Sequence, residues 1–220
     1  MKRHEVRARI EETGILPSVR VSSRELARFA GETIYGAGIP VVEITMTVPG
    51  ALDVINDLAS RYPDMAVGAG TVLDEETART CVEAGARFLT SPGFVPEVVA
   101  YANTVNVVVL PGALTPTEVI AAWKAGSDLI KIFPTGHIGG VQYVRALKVP
   151  LPQIPLIATG GVNQTTAGDF ILAGASAIGL GGQLLPKESL HFHQVDRIGE
   201  LASRFIAMVK DARAMREIYY

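Results

Sequence analysis

The chain has 220 residues, of which 48% are hydrophobic and 19% are charged, and its formal net charge is −2 at pH 7. This length suits one large domain, and the composition supplies ample apolar material for a core. A net charge this close to zero gives no electrostatic reason to expect nucleic acid or a membrane surface as a partner.

The single cysteine and the N-terminal residues bear on the cellular compartment. Cys81 has no second cysteine with which to form an internal disulfide, which fits a reducing compartment, and it stands in a helical pattern where we expect it to pack. Residues 1–14, MKRHEVRARIEETG, are charged and helix-like and lack the apolar core of a secretory signal. No run reaches the apolar length of a membrane span. We therefore expect a soluble, cytoplasmic protein.

Short apolar runs alternate with amphipathic runs along the chain after this N-terminal helix. Eight apolar runs predict β-strands, at 15–20, 40–45, 65–69, 87–90, 106–110, 127–132, 154–159 and 176–181. Eight amphipathic runs predict helices, at 22–37, 50–61, 74–84, 95–102, 115–125, 140–147, 165–173 and about 193–217. Several strands are nearly continuous in Val, Ile and Leu, as is typical of parallel strands buried on both faces.

A recurring phrase joins these elements. An Ala-Gly pair, a small residue and an apolar run occur in YGAGIPVVEI, EAGARFLT, KAGSDLIKI and LAGASAIGL, which indicates a helix end, a tight turn and a strand. Eight strand–helix units in this length predict an α/β fold, a single (β/α)8 TIM barrel with an N-terminal and a C-terminal helix. We expect one domain, 1–220, with its barrel core at about 15–190. A doubly wound sheet is the alternative, but it usually has fewer units.

The predicted strand ends carry small and polar residues, although the strands are apolar. These residues are Arg20; Glu43 and Thr45; Gly68, Gly70 and Thr71; Thr90, Ser91 and Pro92; Pro111 and Gly112; Lys131, Phe133 and Pro134; Thr159, Gly160 and Gly161; and Gly179, Gly181 and Gly182. Functional groups of a (β/α)8 barrel collect at the C-terminal ends of its strands. The contrast therefore predicts a site there.

Lys131 in SDLIKIFPTG and Glu43 in VVEIT are charged residues within strand-like, apolar runs. Burial of an unpaired charge is costly, so each must be paired, reach water or become neutral. One interpretation is a lysine at a strand end that reaches water, or a buried Lys–Glu ion pair. The other, which the barrel position favours, is a nucleophile and a base in one pocket. An amine nucleophile implies a carbonyl substrate and Schiff-base aldol chemistry, which requires no metal or other cofactor.

Pairs of glycines follow the last two predicted strands, in ATGGVN and GLGGQLL. Glycine lets backbone N–H groups approach a ligand closely, and barrels often bind phosphate at this place. The alternative is that these glycines only allow tight turns.

Together these motifs resemble those of the 2-keto-3-deoxy-6-phosphogluconate (KDPG) / 4-hydroxy-2-oxoglutarate (KHG) aldolase family, class I aldolases with a small (β/α)8 barrel that are usually trimeric. The resemblance covers about residues 10–190. The matching motifs are VVEIT, VGAGTVL (67–73), FLTSPG (88–93), LPGALTPTE (110–118), IKIFP (130–134), ATGGV (158–162) and GLGG (179–182).

The resemblance implies that Lys131 is the Schiff-base lysine and that Glu43 is a general acid/base acting through a water. It also implies a homotrimer, and a 2-oxo acid substrate that is cleaved to pyruvate and an aldehyde without a cofactor. The substrate-binding residues that it implies are Arg20, Thr71, Pro92, Phe133, Thr159, Gly160, Gly161, Gly181 and Gly182.

Two positions depart from the family pattern. Thr47 stands where many members have an arginine, and Gln183 stands where members acting on phosphorylated sugar acids often have a serine. These changes leave the imine chemistry intact but favour a shorter or unphosphorylated substrate.

Two other functions fit parts of the pattern. In a barrel isomerase or epimerase of a sugar phosphate, Lys131 would only bind an anion. In a barrel without activity, the chain would serve as an oligomeric scaffold, but retention of both Glu43 and Lys131 speaks against this. The four histidines, 4, 137, 191 and 193, do not form a metal-ligand set, so we expect no metal.

Overall fold

A computed structural model of the chain describes residues 1–219. The helices are α1 (Arg3–Thr13), α2 (Arg24–Gly36), α3 (Ala51–Arg61), α4 (Glu75–Glu83), α5 (Pro96–Thr104), α6 (Pro116–Lys124), α7 (Gly140–Lys148), α8 (Ala167–Leu172), α9 (Lys187–His191) and α10 (Val195–Tyr219). The strands are β1 (Ile15–Val19), β2 (Val41–Thr45), β3 (Ala66–Gly70), β4 (Phe88–Thr90), β5 (Val108–Leu110), β6 (Gly112–Ala113), β7 (Ile130–Ile132), β8 (Leu156–Thr159) and β9 (Ala177–Leu180). A 3₁₀ turn covers Thr135–His137. No described helix is long and apolar enough to cross a bilayer.

All strands are parallel and form one sheet in the order β5-β4-β3-β2-β1-β9-β8-β7-β6. β5 and β6 are two parts of one passage, interrupted at Pro111, whose ring nitrogen has no hydrogen to donate. Backbone hydrogen bonds from Asp128 to Val109 and from Lys131 to Pro111 join the two ends of the sheet. The eight predicted strand positions and the TIM barrel are therefore confirmed.

The barrel interior has its own apolar core below the site. α1 covers the N-terminal end of the barrel, where Val6 and Ile10 pack on interior side chains of the strands. Phe88 fills the centre because its neighbour in register, Gly68, has no side chain: a Cβ there would lie 2.3 Å from the Phe88 ring. The other, larger core lies between the strands and the surrounding helices.

Two short elements depart from the prediction. Neither α9 nor the 3₁₀ turn was expected, because segments of five and three residues are too short to show a helical periodicity. The C-terminal helix is confirmed, although it begins at Val195 and ends at Tyr219 rather than spanning 193–217.

Candidate active site

A cavity of about 630 Å³ opens at the C-terminal ends of the strands. Its lining residues are Ser18, Arg20, Thr71, Pro92, Lys131, Phe133, Thr159, Gly160, Gly161, Val162, Asn163, Gly179, Leu180, Gly181, Gly182 and Gln183. All the catalytic and substrate-binding residues that the family resemblance implies are among them except Glu43. Residues that follow six different strands are thus brought to one place, as the barrel fold predicted.

Lys131 is the middle residue of β7, and its side chain is 10% exposed. Its Nζ lies 3.6 Å from Glu43 Oε2, longer than a hydrogen bond, and 5.7 Å from the centre of the Phe133 ring. The amine therefore lines the cavity with an aromatic ring near it and a carboxylate close by but not hydrogen-bonded to it.

Glu43 lies in the middle of β2 rather than at its end, and its side chain is 2% exposed. Side chains alternate along a strand, so Glu43 points into the barrel while its neighbours Val42 and Ile44 pack against the helices. Its carboxylate accepts two hydrogen bonds, from Ser18 Oγ to Oε1 (2.8 Å) and from Thr90 Oγ1 to Oε2 (2.7 Å). The buried charge is thus compensated by hydroxyl donors and a lysine.

Glu43 reaches Thr90 by crossing β3 at a glycine. A Cβ at Gly70 would lie 2.2 Å from Glu43 Oε1, so only glycine leaves room for the carboxylate. The glycines of VGAG thus shape the barrel interior, one for Phe88 and the other for Glu43.

Arg20 and Thr71 meet at the rim of the cavity. Arg20 is exposed and donates a hydrogen bond from Nη2 to Thr71 Oγ1 (3.2 Å). Thr71 has φ +62°, a left-handed conformation that is unusual for a residue with a branched side chain. The pair places a guanidinium and a hydroxyl beside each other in the cavity that Lys131 also lines.

The segment after β7 is bound to the segment after β8. Thr135 Oγ1 donates to the carbonyls of Thr159 and Gly160, and the Gly136 amide donates to the Gly160 carbonyl (2.7 Å). A Cβ at Gly161 would lie 2.6 Å from the Gly136 Cα, so the two backbones are in direct contact. These bonds hold the Gly160-Gly161 backbone at the cavity wall.

The helices after the glycine pairs begin later than a phosphate-binding helix would. α8 starts six residues after Gly161, α9 starts five residues after Gly182, and they contain six and five residues respectively. The glycines therefore contribute backbone groups to the cavity, but neither pair opens directly into a helix.

Thr159 presents a polar atom without a partner among the described residues. Its Oγ1 is buried and unbonded. It packs against Gly179 across the strand pair, where a Cβ would lie 2.2 Å from this oxygen. Thr159 thus lines the cavity, but its hydroxyl oxygen is packed against Gly179.

The two departures from the family pattern lie in different places. Thr47 is exposed and hydrogen-bonded through Oγ1 to Thr45 Oγ1 (2.8 Å), away from the cavity lining. Gln183 lines the cavity. Of the two, Gln183 is therefore placed to contact a ligand.

A second cavity, of about 820 Å³, adjoins the first. The two share Ser18, Arg20, Gly181 and Gly182. Beyond them lie the apolar side chains of Leu26, Leu185 and Leu190 and the basic residues Lys187 and His191. α9, which the sequence did not predict, thus forms one wall of the space next to the site.

Other reactive side chains lie away from the cavity. Cys81 is buried in α4, as expected, and burial raises the pKa of its thiol to about 12. Within residues 1–219, no three His, Cys, Asp or Glu side chains come together as a metal site. Ser18 is the one lining residue on a strand that the sequence motifs did not single out, because a serine next to a proline in LPSVR has no distinctive pattern.

Comparison with known proteins identifies the family. The family model described as KDPG and KHG aldolase matches residues 6–201. The KHG/KDPG aldolase of Escherichia coli (strain K12) is 31% identical over 197 residues, which are 89% of this chain and 92% of that protein.

Solved structures agree. KDPG aldolase from Legionella pneumophila, with pyruvate captured as a covalent carbinolamine intermediate, is similar with a TM-score of 0.83 and 28% identity over 90% of this chain and 96% of that one. The 2-keto-3-deoxy-6-phosphogluconate aldolase of Zymomonas mobilis ZM4, with 3-phosphoglycerate, has a TM-score of 0.84 and 25% identity over 94% of this chain and 97% of that one. The chain therefore belongs to the KDPG and KHG aldolase family, a family of lyases, as the sequence motifs predicted.

Proposed function

We propose that the chain is a class I aldolase that cleaves a 4-hydroxy-2-oxo acid, of the KDPG or KHG type, to pyruvate and an aldehyde. The observation that carries this proposal is the position of Lys131 Nζ, in a cavity at the strand ends and 3.6 Å from the buried Glu43 carboxylate. The carbinolamine captured in the Legionella pneumophila relative supports the same chemistry.

Lys131 begins the reaction as a nucleophile. Its unprotonated amine adds to the C2 carbonyl of the substrate, and the carbinolamine hydroxyl then takes up a proton and leaves as water, which gives a protonated imine. The imine then accepts the electron pair of the C3–C4 bond as that bond breaks, so the aldehyde leaves and an enamine of pyruvate remains. Protonation of C3 and hydrolysis of the imine release pyruvate and regenerate the amine.

Glu43 acts as the general acid/base. It takes up the proton that leaves the C4 hydroxyl during cleavage, and a proton returns to C3 of the enamine. Its two hydroxyl partners stabilise the charged carboxylate before the proton is taken up and after it has been returned.

The remaining lining residues bind the substrate. Arg20, supported by Thr71, is placed to pair with a substrate anion, and Pro92 and Phe133 form walls next to Lys131. Thr159 and the backbone at four glycines border the space for the distal half of the substrate. These glycines are Gly160, Gly161, Gly181 and Gly182. The adjoining cavity leaves room for variation in the aldehyde half.

The family resemblance also leads us to propose one domain, a homotrimer and a cytoplasmic location.

The test of this function is covalent trapping. The protein is incubated with pyruvate and borohydride, and its intact mass and modified peptide are determined. We expect one reduced pyruvyl adduct, on Lys131. Lys131→Arg keeps the positive charge but cannot form the imine, so this variant should lose the adduct and the cleavage activity together.

Two results would contradict the proposal. Absence of an adduct, or adducts scattered over surface lysines, would leave Lys131 as an anion-binding or ion-pair residue, as in an isomerase. Near wild-type cleavage by Lys131→Arg would have the same meaning.

A further inference from the structure

Ser18 stands between the buried carboxylate and the cavity. Within residues 1–219, the cavity lining includes Ser18 and Lys131 but neither Glu43 nor Thr90. Ser18 lies beside Glu43 in the β1–β2 register, and its Oγ donates to Glu43 Oε1 at 2.8 Å. The hydroxyl therefore contacts the carboxylate on one side and borders the substrate space on the other.

We propose that the Ser18 hydroxyl is a catalytic group that carries protons between Glu43 and the bound substrate. This inference rests on the proposed aldolase function, because it requires Glu43 as the acid/base and an imine on Lys131. It assigns to a side chain of this protein a step in the path that protons take between the substrate and the Glu43 carboxylate.

A serine hydroxyl can relay a proton without a net change in its own state. During cleavage, the C4 hydroxyl gives its proton to Ser18 Oγ while the Ser18 proton passes to Glu43 Oε1, and the C3–C4 electron pair moves into the imine. When the enamine is protonated, Ser18 gives the proton that it received from the C4 hydroxyl to C3, and Glu43 returns its proton to Ser18 Oγ. Every proton and electron pair is accounted for, and no further reactant is needed.

The other neighbours of the carboxylate are less suited to this transfer. Thr90 is fully buried, donates to Glu43 Oε2, and does not line the cavity. Lys131 Nζ becomes the imine nitrogen during the reaction. Ser18 is thus the hydroxyl that joins Oε1 to the cavity.

The experiment measures proton transfer apart from carbon–carbon cleavage. A class I aldolase exchanges the methyl protons of pyruvate with solvent through the enamine, and NMR in D₂O follows this exchange. The matched variants are Ser18→Thr, which keeps the hydroxyl, and Ser18→Val, which has the shape of threonine with a methyl group in place of the hydroxyl. We expect S18T to exchange within about threefold of wild type and S18V to be slower by about 10²-fold, the lower end of the range for a positioned acid–base group.

Thr90→Val tests whether Ser18 transfers protons or only holds the Glu43 carboxylate in place. It removes an equally short hydrogen bond from the same carboxylate, but from a hydroxyl that does not border the cavity. Exchange by T90V should therefore be much less affected than exchange by S18V. Equal losses in T90V and S18V, or unchanged exchange in S18V, would overturn the relay.

Borohydride trapping distinguishes this failure from failure of the proposed function. Taken to completion, trapping of pyruvate on Lys131 should remain within about twofold of wild type in S18V, which also shows that the variant is folded. If S18V does not fold, Ser18→Ala provides the same comparison with a smaller side chain. Normal trapping with unchanged exchange would refute the relay alone, whereas no trapping in the wild type would refute the imine and the relay with it.

Discussion

At the scale of single residues, the site depends on neighbouring glycines that have no Cβ atom. Glu43 can lie across β3 only because position 70 is a glycine, and the Thr159 hydroxyl oxygen fits against β9 only because position 179 is a glycine. In both cases the missing Cβ leaves space for a polar group on an adjacent strand. Glycine in a strand interior normally weakens the strand. At these two positions the shape of the site therefore requires a residue that lowers local stability.

Substitution of Gly70 tests this view. In Gly70→Ala the new Cβ would lie 2.2 Å from Glu43 Oε1, so the carboxylate must move. We expect a loss of about 1–3 kcal/mol in the free energy of unfolding, the usual cost of overpacking. Because Glu43 would be displaced, exchange of pyruvate methyl protons should also fall by about 10²-fold. Urea unfolding and NMR exchange measure the two effects.

Gly36→Ala is the matched control. Gly36 is exposed at the end of α2, and a Cβ there has no neighbour within 4 Å. This variant should be as stable as wild type or more stable by up to about 1 kcal/mol, because alanine favours a helix. Wild-type exchange by Gly70→Ala would show that Glu43 does not depend on this glycine.

The raised pKa of the Cys81 thiol predicts that the free energy of unfolding falls at alkaline pH. Burial raises the pKa of this thiol from 9.0 to about 12, so the folded state keeps its proton in a range where the unfolded chain loses it. The contribution of Cys81 to stability is therefore complete below pH 9 and is lost as the pH rises toward 12. The slope is at most about 1.4 kcal/mol per pH unit.

Urea unfolding between pH 8 and pH 10 measures this effect, with Cys81→Ala as the comparison. The free energy of unfolding should fall more steeply above pH 9 for the wild type than for the variant. Parallel curves would show that the thiol titrates alike in both states.

At the scale of elements, α1 is part of the barrel rather than an appendage. Ile10 is fully buried against interior residues of the strands. Arg3, one turn from the start of the chain, forms an ion pair with Asp128 (2.7 Å), whose carboxylate also accepts from the Val109 amide. The helix thus closes the end of the barrel opposite to the cavity.

Truncation of Ile10 should therefore weaken the whole fold. We expect Ile10→Ala to lower the free energy of unfolding by about 2–5 kcal/mol, from lost burial and the cavity that remains. Glu12→Ala, on the exposed face of the same helix, should change it by less than about 0.5 kcal/mol. Denaturant unfolding provides both values. A similar small effect of the two changes would mean that the packing of α1 does not contribute to the free energy of unfolding.

At the scale of the whole molecule, the proposed trimer makes a simple prediction. The native mass in solution should be about three times the 23.4 kDa of one chain at micromolar concentration. Sedimentation equilibrium over a range of dilutions measures this mass. A mass of one or two chains throughout that range would contradict the proposed assembly.

Much of the architecture follows from local pattern. Runs of Val, Ile and Leu between amphipathic segments predicted all eight strand positions, because the periods of buried strands and of surface helices depend only on nearby residues. Lys131 and Glu43 could be recognised for the same reason, since a charge within an apolar run stands out against its neighbours. Their motifs, taken with the glycine pairs, were also enough to identify the family.

The contacts of the site were decided by tertiary structure. Ser18 lies 25 residues before Glu43, and Thr90 lies 47 residues after it, yet both donate to its carboxylate. Neither contact could be predicted, because serine and threonine are ordinary strand residues with no pattern that names a partner. Strand register sets which residues of neighbouring strands meet, and it depends on how the whole sheet closes into a barrel. The sequence by itself therefore determined the barrel and the place of Lys131 at its strand ends, whereas the closed sheet alone decided that Ser18 and Thr90 donate to Glu43.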